Sequence, residues 1–422
     1  MRRPARGKFT TDLLWNAAAF VLSALLGVLV NLFIIRYYDA AALGVFNQVY
    51  ALYIMLSQLA VGGVHLAVQA FVPKHADEPA QHHPMMSSAL LLTLLSSVLI
   101  MALAWAGRHL PGQWFESHQV GVAFPLVIWG LLFFSFNKVL LAYHNGARRM
   151  KLFAVFQFMR FFLLFIMLMV LALQGAPPEH LPAILAWTEL LLFAVLIPVT
   201  LRYYKPWEMR GMGGWLRQNF RFGNRALPGN FLLDVNTRVD VLMLGIFLND
   251  RLVGLYSFAA TVAEGVMYLP VLFRNNINPL LTRSWHRTGP ALLQRLLVRN
   301  RKAFFRVLAP ITLVTIPLFP LAMWVLGMND EPMTVWALFA ILVGGVAITS
   351  GYQPFQMLFG QLGRPGTQTI FVASVFTANV LLNALLIPVF GLYGAAIGTA
   401  LSFVAMVVVL RWLAGRRFGV RF

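Results

Sequence analysis

Residues 13–35 read LLWNAAAFVLSALLGVLVNLFII, a run of 23 residues without a charge. A helix rises about 1.5 Å per residue, so the run is about 34 Å long and covers a hydrocarbon layer of about 30 Å. Arg2, Arg3, Arg6 and Lys8 precede it. Cations followed by an apolar run also mark a signal peptide. This run is longer than the roughly 7–15 residues of a signal core, and no small-residue cleavage site closes it. It reads as a retained first membrane helix.

Runs of the same kind recur along the 422 residues, near 43–72, 86–107, 120–143, 151–173, 181–201, 223–248, 252–273, 303–327, 332–359, 368–389 and 392–410. Composition agrees with them: 59% of residues are hydrophobic, only 11% are charged, and mean hydropathy is +0.74. A soluble protein carries roughly 25% charged residues, and one soluble core cannot hide this much apolar surface. No run has the alternating ten-residue pattern of a barrel strand, which leaves helices as the backbone that lipid permits. The fold class is therefore an all-α membrane protein with about 12 transmembrane helices. The chain has no cysteine, which excludes disulfides, thiolate metal sites and thiol nucleophiles. It also lacks a phosphate-binding loop, a nucleophile elbow and a metal motif, so neither enzyme activity nor a catalytic residue is expected.

Net charge is +19. In a soluble chain that value would suggest nucleic acid, but here the cations sort by side and no nucleic-acid partner is expected. With the N-terminus inside, 26 of the 33 Lys and Arg fall in cytoplasmic segments. Arg36, Arg108 and Arg251 fall outside, and four more lie within helices. This positive-inside bias places both termini in the cytoplasm. A basic connector at 202–222 divides a six-helix bundle at 1–201 from a second at 223–422, which ends in a basic cytoplasmic tail. Arg295, Arg299, Lys302 and Arg306 recur at helical spacing beside Leu292, Leu293, Leu296 and Leu297. They predict an amphipathic helix over 290–306 in the cytoplasmic interface, drawn to anionic lipid; a solvated loop is the alternative. Gly44-Val-Phe46 and Gly254-Leu-Tyr256 open the second helix of each half. Such internal duplication is common in transporters, whose halves rock about a shared site.

Eight ionisable residues other than His fall within the expected helices: Lys138, Arg160, Glu189, Arg225, Asp234, Arg238, Asp240 and Glu264. Each costs about 2.5–3.5 kcal/mol at a helix centre, so they require internal partners or water. Lys138 and Arg225 lie near a helix end and can snorkel, whereas the others face a hydrated interior. Asp234 and Arg238, four apart, share a face and form either a structural ion pair or part of a substrate or ion site. Arg225 and Asp240 project to the opposite side of the same helix. Glu264 is a protonatable group or a partner for Arg160 or Arg238. Asn379 and Asn383, also four apart, can bind sugar hydroxyls or make interhelical hydrogen bonds. His75, His82 and His83 lie near Asp77 and Glu78 in a short loop, where a solvated loop is the simpler reading and no metal site is expected.

Three stretches go beyond generic membrane sequence. One runs from Asn31 through Arg36-Tyr37-Tyr38-Asp39 and Gly44-Val-Phe46-Asn47 to Tyr53. Another runs from Gly363-Arg364-Pro365-Gly366 through Asn379, Asn383 and Pro388 to Gly391-Leu-Tyr-Gly394-Ala-Ala-Ile-Gly398 and Ser402. The third joins Asp240 and Gly245 to Gly254-Leu-Tyr256, Pro270 and Pro279. Together they resemble the polysaccharide-transporter branch of the multidrug/oligosaccharidyl-lipid/polysaccharide exporter (MOP) superfamily, the Wzx-type flippases. The resemblance implies a MATE-like fold of two six-helix bundles in the bacterial inner membrane. It implies export of an undecaprenyl-diphosphate-linked repeat unit for O-antigen, capsule or exopolysaccharide by alternating access. A polysaccharide polymerase or glycosyltransferase assembly is then an implied partner, alongside the lipid-linked substrate and membrane lipids. Lys138, Arg160, Arg225 and Arg238 become candidates for the diphosphate, Asn379 and Asn383 for the glycan, and Arg36 for the outer exit. Asp234, Asp240, Glu264 and Glu189 become candidates for ion pairing or for coupling to H+ or Na+, with no cofactor. A cation-coupled multidrug exporter of the same fold is the alternative.

Overall fold

The computed structural model describes residues 6–205, 211–288, 290–325, 327 and 331–420, with the backbone alone at 6–14, 272, 275–276, 279–280, 282–288 and 290–292. Arg2, Arg3 and positions 206–210 of the expected connector lie outside the described residues. Among the described residues there are helices and turns but no strand.

The chain forms two compact units, Met1–Tyr38 with Val45–Asp234, and Asp39–Gly44 with Val235–Phe422. In chain order the helices are α1 (Arg6–Tyr37), α2 (Ala40–Val61), α3 (Val64–Phe71), α4 (Pro79–Ala106), α5 (Leu110–Trp114), α6 (His118–Ile128), α7 (Gly130–Gly146), α8 (Met150–Leu173), α9 (Ala183–Leu201) and α10 (Met212–Asn236). After these come α11 (Val239–Phe247), α12 (Asp250–Thr288), α13 (Pro290–Val325), α14 (Pro332–Thr349), α15 (Leu358–Gln361) and α16 (Pro365–Phe418). Among the described residues, nine helices are long and apolar enough to cross a membrane, or ten if α6 and α7, bent by 51°, form one broken span. Their outward faces carry exposed Leu95, Leu99, Leu103, Leu385 and Val389. Lipid solvates such faces, and the helix satisfies its own backbone there.

Each expected run has a helical counterpart, but several expectations differ in form. The runs at 120–143 and 332–359 are each broken, the first between α6 and α7 and the second after Thr349 at the end of α14. The run at 43–72 is broken between α2 and α3, where Gly62 and Gly63 both take positive φ, which a side chain would resist. Carbonyls released by such a break need new donors. Ala60 O finds one, accepting from Ser96 Oγ at 2.6 Å. The expected connector at 202–222 contains the start of α10, which runs on to Asn236, and the two units divide between Asp234 and Val235. The expected helix at 223–248 is interrupted between α10 and α11, where Arg238 is non-helical with φ −129°. The amphipathic segment at 290–306 is not a separate element lying in the interface. It forms the first turns of α13, continuous with an apolar span.

A straight helix the length of α16, 54 residues, would measure about 81 Å. Instead the chain reverses at Gly391, whose φ of 55° and ψ of −129° are open to glycine and strained for other residues. The second arm returns along the first. A Cβ at Gly394 would strike the Leu386 carbonyl, and one at Gly398 would come within 2.9 Å of Asn383 Oδ1. Small residues four apart allow this close approach, as they do between membrane helices generally.

In the first unit α1 packs on α8, and α7 packs on α3, α4 and α9; in the second, α14 packs on α12, α13 and α16. Beyond the end of α9, Tyr204 shares a hydrogen bond of 2.8 Å with Ser87 on α4. Burial pushes its phenol above the usual range, so Tyr204 stays neutral at physiological pH.

Candidate functional site

Each unit contains one enclosed group of ionisable side chains and one that is partly exposed. In the first unit, Arg160 of α8 meets Glu189 of α9, with Nε 2.7 Å from Oε1 and an Nη2 hydrogen bond of 3.2 Å to Oε2. Asn137 of α7 donates to the same Oε2 and to the Glu189 backbone carbonyl, both at 2.8 Å. The Glu189 side chain is only 4% exposed. Both carboxylate oxygens are engaged, and the paired charges offset each other's desolvation. This is the geometry of a fixed cross-brace.

Lys138, next to Asn137 on α7, points elsewhere. Its Nζ donates to Gln58 Oε1 at 2.5 Å and lies 3.7 Å from Asp234 Oδ2 on α10. These side chains are 22% and 38% exposed, despite their position among apolar helices. Gln58 is one turn before the Gly62-Gly63 break and His65 is just after it. His65 is buried, and its Nδ1 lacks a hydrogen-bond partner. At the break, a Cβ on Gly63 would press on the Gly223 carbonyl, so backbone-to-backbone packing brings α10 against this corner.

The second unit repeats the division. Asp240 of α11 is buried, accepts from Tyr256 of α12 at 2.5 Å through Oδ2, and binds its own Val241 N–H at 2.9 Å through Oδ1. Arg238 pairs with Glu264 of α12 at 3.2 Å, the two side chains being 22% and 33% exposed. Of the partners considered for Glu264, Arg238 is the one it meets here. Asp234 faces Lys138, and the continuous helical register assumed for Asp234 and Arg238 ends at Asn236.

Asn379 and Asn383, expected at the glycan, are 2% and 0% exposed. Asn383 Nδ2 donates to Asn379 Oδ1 at 2.9 Å, and Asn379 Nδ2 donates to Asn236 Oδ1 at 3.3 Å. Their amide donors thus tie these positions together within the unit. Arg225 is exposed on α10, and Arg36 is exposed in the last turn of α1. His82 meets the His75 carbonyl, and His83 Nδ1 accepts from Lys205 N. Among the described residues, no three His, Asp or Glu gather as metal ligands.

Sequence reasoning missed Asn137 and Tyr256 as partners of the buried acids. Asn137 carried a usable signal, as an amide beside a lysine in an otherwise apolar run. Tyr256 carried none, because a tyrosine in a membrane helix is ordinary.

The sequence profile of the polysaccharide biosynthesis protein family matches residues 9–285, which is most of both charged groups and well over half of the chain. The chain belongs to that family. A curated relative, the probable low-salt glycan biosynthesis flippase Agl15 of Haloferax volcanii, is 27% identical over 183 residues. The match covers 40% of this chain and 36% of the relative, so the chain aligns with about a third of that protein's length. Among solved structures, the inward closed lipid II flippase MurJ aligns with a TM-score of 0.73 at 14% identity, over 95% of this chain and 87% of that one. The MATE multidrug transporter DinF-BH in complex with R6G aligns at 0.69 and 17% identity, over 99% and 98%. An inward-facing MATE transporter of the MOP superfamily aligns at 0.68 and 14%, over 92% and 97%. The chain therefore has the fold shared by these MurJ and MATE structures. Its named relatives are flippases and transporters, not enzymes.

Proposed function

We propose that this protein is a flippase that carries an undecaprenyl-diphosphate-linked oligosaccharide repeat unit from the cytoplasmic to the outer leaflet of the bacterial inner membrane. It would act by alternating access in the synthesis of O-antigen, capsule or exopolysaccharide, beside the polymerase or glycosyltransferases of that pathway. The family match and the fold support transport. The observation that carries the reading is the two partly exposed ion pairs, Lys138–Asp234 and Arg238–Glu264. A partly exposed intramembrane charge is a functional candidate by default.

Their pairing suggests how movement is driven. A diphosphate competes with Asp234 for Lys138 and with Glu264 for Arg238. A displaced carboxylate in a low-dielectric interior is costly, so it takes up H+ or Na+. Substrate binding and cation uptake are thereby linked without a bound cofactor. The topology that goes with this reading has twelve crossings with both termini cytoplasmic, counting each arm of α16 as one crossing and α10–α11 as another. Cation-coupled drug export on the same fold is the second reading, and the acids favour it. Against it, each partly exposed acid already has a cation beside it.

Deletion of the gene in a strain without a redundant flippase should make lipid-linked oligosaccharide accumulate on the cytoplasmic face and deplete the surface polymer. Normal surface polymer in that strain would sink the proposal. Efflux of organic cations, lost in Asp234→Asn or Glu264→Gln, would favour the drug exporter instead.

A further inference from the structure

We propose that the N-terminal turns of α13 form a binding site for anionic phospholipid headgroups, in the leaflet where that helix leaves the membrane. Arg295, Arg299, Lys302 and Arg306 are all exposed. At 100° per residue they fall within about 60° of one another. Leu293, Leu297, Phe304 and Leu308 are buried and point the opposite way, into the second unit. No carboxylate pairs with the four cations among the described residues. Arg301, off the stripe, is engaged instead with the Tyr352 hydroxyl at 3.0 Å.

The same helix also sets the depth of the stripe. Its apolar span, Leu293–Val325, has 33 residues and a length of about 50 Å, whereas the hydrocarbon layer takes about 30 Å, or about 20 residues. Beyond the stripe come exposed Leu313, Val314, Leu318, Leu321 and Trp324, which require lipid. With those residues in the hydrocarbon, about a dozen remain at the N-terminal end, and Arg306 and Lys302 fall at the level of the phosphates. Arg299 and Arg295 lie one and two turns further out, where attraction to the surface declines within a Debye length of about 8–10 Å. A row of cations that continues straight into a lipid-facing surface complements a phosphate layer. An acidic soluble partner would have no reason to require that continuity.

The test uses the purified full chain and measures, by native mass spectrometry, phosphatidylglycerol retained relative to phosphatidylcholine. Each cation close to an anionic surface is worth about 1 kcal/mol, or about fivefold in affinity. The wild type should prefer phosphatidylglycerol, and K302Q/R306Q should lose roughly 25-fold of that preference. R295Q/R299Q should lose markedly less. Thermal unfolding of each variant reports whether it is folded, and R301Q serves as the control for lost charge away from the stripe. Equal retention of the two lipids by wild type overturns the proposal. So does a folded K302Q/R306Q with unchanged preference, or a larger loss in R295Q/R299Q, as an acidic polypeptide bound to the outer turns would give.

Discussion

Glu189 and Asp234 are both acids paired with a cation inside a membrane protein, yet they should respond differently to neutralisation. Glu189 is enclosed and holds Arg160 and Asn137 in place. Replacing it with alanine leaves a buried guanidinium without its counter-charge, and breaking such a pair costs about 3–5 kcal/mol. Glu189→Ala should therefore lower the unfolding temperature in detergent sharply, while Arg160→Met combined with Glu189→Leu should restore most of it. Asp234 is 38% exposed and less enclosed by its partners. Asp234→Asn should leave the unfolding temperature within a few degrees of wild type and abolish export of lipid-linked oligosaccharide, read as loss of surface polymer. A stable Glu189→Ala variant would contradict the cross-brace. These partnerships were not legible in the sequence. Lys138 finds Gln58 80 positions away, and Arg160 finds Glu189 29 positions away, separations at which no periodicity registers. The sequence does reveal which residues need partners, because each charge stands out against an apolar run.

At the level of elements, hydropathy located every expected helical run but not the breaks within them. Gly62 and Gly63 pass unnoticed in an apolar stretch, and only the backbone shows that both have positive φ. The start of α10 was hidden for the opposite reason. Arg217 and Arg221 make its first turns polar, so they read as a connector. The glycines of the short repeat prove to be structural necessities. Asp39 caps α2 through a bond to Ala42 N, and Asn249 caps α12 through a bond to Leu252 N. Each cap stands five residues before its glycine. A Cβ on Gly44 would overlap the Asp250 carbonyl, and one on Gly254 would overlap the Ala40 carbonyl. The contact thus runs reciprocally between equivalent positions, as a duplicated motif packed on its own copy would give. Gly44→Ala and Gly254→Ala should each destabilise by about 1–3 kcal/mol, the usual cost of overpacking. Gly344→Ala, in α14 with nothing within 4 Å, should be neutral or stabilise by up to about 1 kcal/mol. Thermal unfolding of the three variants decides the point, and equal tolerance at all three positions would remove the crossing from the argument.

For the molecule as a whole, the membrane class is written in composition. The division into units is not, because it depends on long-range packing that carries α10 past the expected boundary. Since the chain contains no native cysteine, single cysteines can report the proposed topology without background. A membrane-impermeant maleimide on intact cells should label Gln113→Cys and spare Ala76→Cys until the cells are lysed. Labelling in the reverse order would invert the topology. The enclosed brace also bears on how the family diverges. A carboxylate that satisfies an arginine and an asparagine on two neighbouring helices cannot be replaced by small steps, since every single change strands a buried partner. Where a relative lacks an acid at the position of Glu189, the arginine at the position of Arg160 should be gone as well, the two lost as a unit in the lineage. Lys138 and Asp234, less enclosed, should be able to change one at a time.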